Sequence, residues 1–251
     1  MPCKNGSKTI SQAIDSILVQ DYIDFELLVI DDGSSDESRK IVADFARRDR
    51  RIKLLVNECT GKGVWAARNV GLKNLRGRYV AFLDCDDYLL PNSLSLRIQS
   101  IKESGASIVH GPYLRLYPDG RTFYCGAREV VSYRDMLQKN HIGNLTGMYD
   151  VTRFGVVLQD DFKHEDYLMW CKLIRLGGSS VSSGSRPLAV YRVSSSSLSG
   201  NKLKAFTWRW RVLRKGLQLN LLSAICWQIV SQVRALADRF TEKEVHPDNR
   251  A

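Results

Sequence analysis

From Tyr167 to Ala237 the chain contains no aspartate and no glutamate, although lysine and arginine recur throughout that stretch. The formal charge of +10 therefore sits largely in the second part of the chain, and it points to an anionic partner. Histidine is scarce, with four in 251 residues, and the six cysteines (Cys3, Cys59, Cys85, Cys125, Cys171, Cys226) form no C-x-x-C pair. Those absences argue against a zinc or disulfide framework. Cys85, Cys171 and Cys226 fall in apolar runs, where a reduced buried thiol is usual, so a reducing, cytosolic setting is expected. No secretory signal is read at the start. Arginine and glutamine interrupt the best apolar run, near Leu221 to Val230, before it reaches bilayer-spanning length.

What the chain does have is alternation. Ile10, Ala13, Ile14, Ile17 and Leu18 repeat at helical spacing, and Phe25 to Ile30 reads as a buried strand. Asp31-Asp32-Gly33-Ser34-Ser35 is a turn-and-cap cluster before a helix carrying Ile41, Val42, Phe45 and Ala46 on one face. Ile52 to Val56 predicts a strand, Val64 to Leu75 a helix and Tyr79 to Leu83 another strand. This order predicts βαβ units and a mostly parallel central sheet flanked by helices, in a chain long enough for one α/β domain. Beyond Pro91 a helix (Leu94 to Ile101), a strand (Ser107 to Gly111) and a hairpin around Pro118-Asp119-Gly120 follow, with Ser132 as an N-cap. A helix opens within Phe162 to Trp170 and ends at Gly177-Gly178, and Pro187 to Arg192 is a short strand. Ser194 to Ser199 is a polar loop, and helices over Lys202 to Lys215 and Leu217 to Ala237 close the fold before a frayed end.

The run Tyr79-Val80-Ala81-Phe82-Leu83 stops on Asp84-Cys85-Asp86-Asp87. Unpaired carboxylates at the end of a buried strand are costly, and Asp84 and Asp86 lie on one face of an extended chain, so both can reach a single hard cation. Acids after a strand also serve as turn formers and N-caps, and three oxygens without phosphate make a weak site. Asp31-Asp32 ends a second strand. In parallel sheets ligands bind at the carboxyl ends of strands, where both acidic clusters fall.

In order and spacing, Asp31-Asp32-Gly33-Ser34, Gly61 with Ala67-Arg68-Asn69-Val70-Gly71, Asp84-Cys85-Asp86-Asp87, His164-Glu165-Asp166 with Trp170, and Leu188 to Arg192 with Ser194 to Ser197 resemble the inverting family 2 glycosyltransferases of GT-A fold. The resemblance covers about residues 2 to 215. It implies that Asp31 and Asp32 meet the nucleotide base, with Asp32 preferred, and that Pro2, Arg68, Asn69 and Asp84 lie against the nucleotide. Arg68 could equally pair with Asp31 or Asp84 to hold the rim together. It further implies Mg²⁺ or Mn²⁺ at Asp84, Asp86 and Asp87, with Asp86 foremost, as a Lewis acid toward the leaving diphosphate. Asp166, beside Glu165, matches the catalytic base, which takes the proton of an acceptor hydroxyl as it attacks the anomeric carbon. The bland alternative for Glu165 and Asp166 is a pair of first-turn acids on a helix dipole. His164 and Trp170 fall on the acceptor side, and Trp170 reads equally as a sugar floor or as core.

The chain departs from the family pattern at its start. The family's first buried strand ends in Pro-x-Tyr-Asn; Pro2 and Asn5 match, Lys4 replaces an aromatic, and the strand before Pro2 is missing. Neighbouring strands should then lack a partner and core surface should be wet, which suggests a natural protein longer at its N-terminus or a poorly active form. A catalytic domain is expected over 1–200 and a basic amphipathic helical region over 201–251. Lys202, Lys204, Arg209, Arg211, Arg214 and Lys215 interleave with Phe206, Trp208 and Trp210, which suits a helix on an anionic membrane or one packed on the catalytic domain with a solvated face. No nucleic-acid module accompanies the charge. The resemblance implies transfer from a nucleotide-sugar, a UDP-sugar foremost, to a glycan or polyprenyl-diphosphate-linked acceptor in bacterial surface polysaccharide synthesis. The expected place is cytoplasmic, peripheral to the inner face of the cell membrane. A catalytically silent, membrane-associated nucleotide-binding or assembly subunit is the competing class.

Overall fold

The structure is a computed structural model and describes residues 1–59, 61, 63–193, 202–238 and 243–244. It begins with β1 (Pro2–Cys3), α1 (Ile10–Leu18), β2 (Leu27–Asp31), α2 (Ser38–Arg48), β3 (Ile52–Val56) and α3 (Val64–Lys73). Ile10, Ala13, Ile14 and Ile17 are buried in α1, as the helical repeat predicts, and Leu27, Val29 and Ile30 are buried in β2. These strands form a wholly parallel sheet in the order β1-β2-β3.

The middle of the chain supplies β4 (Tyr79–Ala81), β5 (Tyr88–Leu89), α4 (Ser93–Ser104), β6 (Ile108–His110), β7 (Tyr113–Leu116), β8 (Thr122–Cys125), β9 (Val130–Ser132), α5 (Tyr133–Gln138), β10 (Met148–Asp150), α6 (Val151–Phe154), α7 (Glu165–Gly177), β11 (Ser179–Ser182) and β12 (Ala189–Arg192). Here the parallel expectation holds only in part. The second sheet runs β4-β10-β6-β11-β9, and only its β6–β11 pair is parallel. Strand β10 enters between β4 and β6 in the opposite direction, a strand of three residues too short to announce itself in the sequence. A third sheet runs β13-β8-β7-β12-β5, with β13 at Lys243–Glu244. Ser132 caps α5 through a reciprocal capping box with Asp135, as expected.

The expected gap at the first strand is present. Strand β1 pairs β2 only at Pro2↔Ile30 and Cys3↔Asp31, and β4 pairs only β10 among the described residues. Residues of β2 and β4 line a cleft of about 990 Å³, with Met1, Leu27, Ile30, Leu72, Val80 and Phe82 on its walls. The two N-terminal sheets are thus joined by packed helices and ion pairs more than by a continuous ladder.

The largest buried cluster centres on α7. Trp170 is wholly buried against Phe82 and Tyr149, with ring centroids 6.1 and 6.3 Å away in edge-on geometry. Helix α8 (Lys202–Arg211), a π turn (Val212–Gly216) and α9 (Leu221–Asp238) complete the main body, and Val212, Leu213, Leu217 and Ala224 join the same cluster. The polar loop expected at Ser194 to Ser199 lies outside the described residues, as does most of the end expected to fray.

A consequence of this packing is measurable. A Cβ at Gly147 would stand 2.3 Å from Trp170 Cζ2 and 2.9 Å from Ile142 Cγ2. Gly147→Ala is therefore expected to cost about 1–3 kcal/mol through overpacking of a rigid ring, a fall in Tm of roughly 2–12 °C by calorimetry. An unchanged Tm would contradict this account of the core.

Candidate active site

The turn after β2 splits the two acids expected at the nucleotide. Gly33, at φ +78°, reverses the chain, and Asp31 Oδ1 accepts the Ser34 N–H at 3.1 Å while Oδ2 lies 3.1 Å from Arg39 Nε. With 2% exposure Asp31 is sealed, and it shapes the loop. Asp32 is half-buried and accepts from Asn57 Nδ2 at 2.6 Å and the Gly63 N–H at 3.1 Å, which ties the β2 turn to the entrance of α3. Pro2 is buried in β1 opposite Ile30. Asn5 is exposed and holds the same turn, accepting from the Ser35 N–H at 2.9 Å.

Arg68 is the hinge of the site. It projects from α3, is 5% exposed, and donates through Nη2 to Asp84 Oδ1 at 2.6 Å and through Nη1 to Glu165 Oε1 at 2.9 Å. One guanidinium thus fastens the end of the β4 segment to the first turn of α7. Buried and doubly paired, Arg68 acts as a brace, the ion-pair role that the sequence left open. Its neighbour Asn69 is engaged in the same way, exchanging two 2.8 Å hydrogen bonds with the backbone of Gln159. That exchange pins the approach to α7.

The three acids after β4 meet different fates. Asp87 is 2% exposed and accepts the Arg192 N–H at 2.8 Å, which pins β12. Burial, with the charges of Asp84 and Asp86 added, pushes its carboxyl up to about 8 against the opposing pull of that N–H. Asp84 is half-exposed, with Arg68 on one oxygen. Asp86 is exposed; partial burial of the group, and then Asp84, raise its pKa against the pull of its own backbone N–H and of Arg192. Arg192 stands over this corner. Its Nη1 donates to the Asp86 carbonyl at 2.8 Å, its Nη2 to Gln12 Oε1, and its guanidinium lies 4.8 Å from the Tyr88 ring centroid.

Across the Arg68 brace, His164 at φ 63° precedes α7 and sets its first residues facing the rim. Glu165 is mostly buried, and that burial raises its pKa although Arg68 favours the charged form. Asp166 is half-exposed at the helix start, and no described residue hydrogen-bonds its carboxylate. His164 is partly buried, with its ring edge-on to Trp208 at 5.6 Å, and burial lowers its pKa. Trp170 is corrected outright. A side chain with no exposed surface cannot floor a sugar, and its indole belongs to the core.

Arg68 thus joins Asp84, two residues before Asp86, to Glu165, the neighbour of Asp166. Among the described residues no group of three or more His, Cys, Asp or Glu side chains is placed to hold a metal ion by itself. The hard oxygens of Asp86 and of the free side of Asp84 nonetheless fit Mg²⁺ or Mn²⁺ where phosphate oxygens complete the shell. Sequence reasoning missed Arg192 and Gln159 as parts of this site. Arg192 carried a signal, a cation closing an apolar strand; Gln159 carried none, because its contacts with Asn69 run through the backbone.

The family model described as glycosyl transferase family 2 matches residues 1–164. The chain is 37% identical over 213 residues, 85% of this chain and 83% of the relative, to an Escherichia coli protein, WfgD, named as a UDP-Glc:alpha-D-GlcNAc-diphosphoundecaprenol beta-1,3-glucosyltransferase. Among solved structures, S. aureus TarS 1-349 in complex with UDP-GlcNAc aligns with a TM-score of 0.68 at 19% identity, over 92% of this chain and 68% of that one. The mannosyltransferase PcManGT of Pyrobaculum calidifontis, with GDP-Man and Mn²⁺, aligns with a TM-score of 0.65 at 16% identity, over 94% and 73%. The last two likenesses bear on the fold.

Proposed function

Because the chain belongs to glycosyl transferase family 2, and is thus a glycosyltransferase, we propose that it moves a sugar with inversion from a UDP-sugar to a glycan carried on a polyprenyl diphosphate, in the building of a bacterial surface polysaccharide. The observation that supports this reading is the Arg68 brace, which joins Asp84 of the acidic cluster after β4 to Glu165 at the start of α7. The name of WfgD, with its UDP-Glc donor and diphosphoundecaprenol acceptor, supports the choice of both substrates.

The residues divide the work as follows. Asp32 and the Gly33 turn face the base, a carboxylate being able to accept the N–H of a pyrimidine edge. Asp86 and Asp84 would hold a divalent cation together with the diphosphate, and such a cation would neutralise charge growing on the leaving group. Arg192, beside Asp86, adds a fixed positive charge on that side. Asp166 takes the proton of the acceptor hydroxyl as its oxygen bonds to the anomeric carbon, while the bond from that carbon to the diphosphate breaks and UDP departs. Glu165, held by Arg68, positions Asp166, and His164 borders the acceptor side. Residues 1–200 carry the transfer chemistry, and 201–251 serve the cytoplasmic face of the membrane where such an acceptor resides.

The test is UDP release from a panel of UDP-sugars with Mn²⁺ and a polyprenyl-diphosphate glycan. Turnover that needs both supports the reading; no UDP release from any donor overturns it in favour of a silent nucleotide-binding subunit. A second measurement concerns the acids. The pKa of Asp86 is raised by burial and then by Asp84, so toward acid the folded protein holds a proton there that a cation must displace. Mn²⁺ affinity is therefore expected to rise with pH, with proton release seen by calorimetry in buffers of different ionisation enthalpy. Affinity that does not change with pH, without proton release, would remove Asp86 from the cation site.

A further inference from the structure

Helix α9 turns its more apolar side away from the protein. Leu222, Ile225, Ile229 and Val233 recur at one-face spacing and are 80, 41, 58 and 62% exposed. The packed side holds Ala224, the partly buried Trp227 and Gln228, and Gln228 is sealed with its Oε1 lacking a hydrogen-bond partner among the described residues. An ordinary surface helix has the reverse arrangement, since leucine gains from burial and a buried amide oxygen without a partner costs free energy. Such a helix is built for a second apolar surface.

The charge around it selects the partner. Arg211 and Lys215, in the segment leading into α9, are exposed, Arg234 lies within the helix, and no acid occurs from Tyr167 to Ala237. A second copy of the chain would bring these cations against their own kind, whereas an anionic bilayer complements them. No described helix is long and apolar enough to cross a membrane, so α9 would lie along it. The tryptophans of α8, expected to reach the lipid, turn elsewhere: Trp210 packs on the core and Trp208 on His164.

We propose that the outer face of α9, formed by Leu222, Ile225, Ile229 and Val233, docks in the headgroup region of an anionic membrane, with Arg211 and Lys215 meeting lipid phosphates. This deepens the reading of a lipid-borne acceptor and rests on it. The experiment sediments the full chain with vesicles of phosphatidylcholine alone and of phosphatidylcholine mixed with phosphatidylglycerol. The wild-type chain is expected to partition to the anionic vesicles at least about tenfold better than the combined variant Leu222→Gln, Ile229→Gln, Val233→Gln, and to lose that binding in high salt. Equal Tm and equal stabilisation by UDP with Mn²⁺ show that the variant is folded. Wild-type protein left in the supernatant, a variant that sediments as well, or a wild-type dimer that the variant converts to monomer overturns the proposal. Donor stabilisation without vesicle binding overturns this surface alone, and vesicle binding without stabilisation by any donor overturns the enzymatic reading alone.

Discussion

Asp166→Asn is expected to lower kcat about a thousandfold, within the ~10²–10⁴ that a positioned general base supplies, while donor stabilisation by UDP and Mn²⁺ stays at the wild-type level. The expectation follows from what Asp166 lacks. No described residue hydrogen-bonds its carboxylate, so the isosteric amide breaks no hydrogen bond within the described structure and removes only the ability to accept a proton. The structural cost is confined to the loss of one negative charge in the first turn of α7, roughly 0.3–1 kcal/mol. Glu165→Gln behaves differently, because Glu165 is tied to Arg68: it lowers Tm as well as activity. Activity of Asp166→Asn within tenfold of wild type would place the base elsewhere, with Glu165 the next candidate. Loss of donor stabilisation along with activity would make Asp166 part of the binding site and not the base.

The contrast between Asp166 and the other acids explains what the sequence could convey. Hydrophobic periodicity marked α1, β2, α3 and α7 because their buried positions are numerous and share a face. It did not mark β10 or β5, of three and two residues, and so it could not reveal that β10 reverses the sheet direction. At the site, residue type showed where carboxylates cluster, but not which of them fold inward. Asp31 and Asp87 carry the same side chain as Asp32 and Asp86, yet each is sealed by a hydrogen bond to a backbone N–H, of Ser34 and Arg192 respectively. Those partners are set by a turn in one case and by a strand more than a hundred residues away in the other. Trp170 shows the same limit: one turn beyond Asp166 it shares a helix with the candidate base, and Gly147, Phe82 and Tyr149 from other elements enclose it.

The helix α9 illustrates a different kind of limit. In sequence its apolar residues read as a stretch that is too short and too often interrupted to span a bilayer, and the basic, tryptophan-rich segment before it drew the membrane assignment. Only packing separates the two faces, because Ala224 and Gln228 must be seen against the body before Leu222 and Ile229 can be seen facing out. An apolar stripe identical in composition would have been core had it been rotated by half a turn.

Arg68→Ala is expected to be the most destabilising single change at the site, at about 3–5 kcal/mol, a fall in Tm of roughly 6–20 °C. The guanidinium is buried between Asp84 and Glu165, and its removal leaves Glu165 without a counter-ion in a setting that already raises its pKa by burial. Lysine does not rescue, because one ammonium on a flexible stem cannot hold two carboxylates in divergent directions as the planar fork does. The sign of the pH dependence tests the cause. With Arg68 gone, the folded-state pKa of Glu165 rises further above its unfolded value, so the folded variant binds a proton that the unfolded chain does not, and its deficit shrinks as pH falls through the folded-state pKa. Adding Glu165→Gln to Arg68→Ala should recover part of the loss at neutral pH, and Mn²⁺, by neutralising Asp84 and Asp86, should recover more. A deficit that is the same at every pH, and indifferent to both Glu165→Gln and Mn²⁺, would mean that Arg68 matters for its packing volume and not as the charge that joins the cation corner to the catalytic helix.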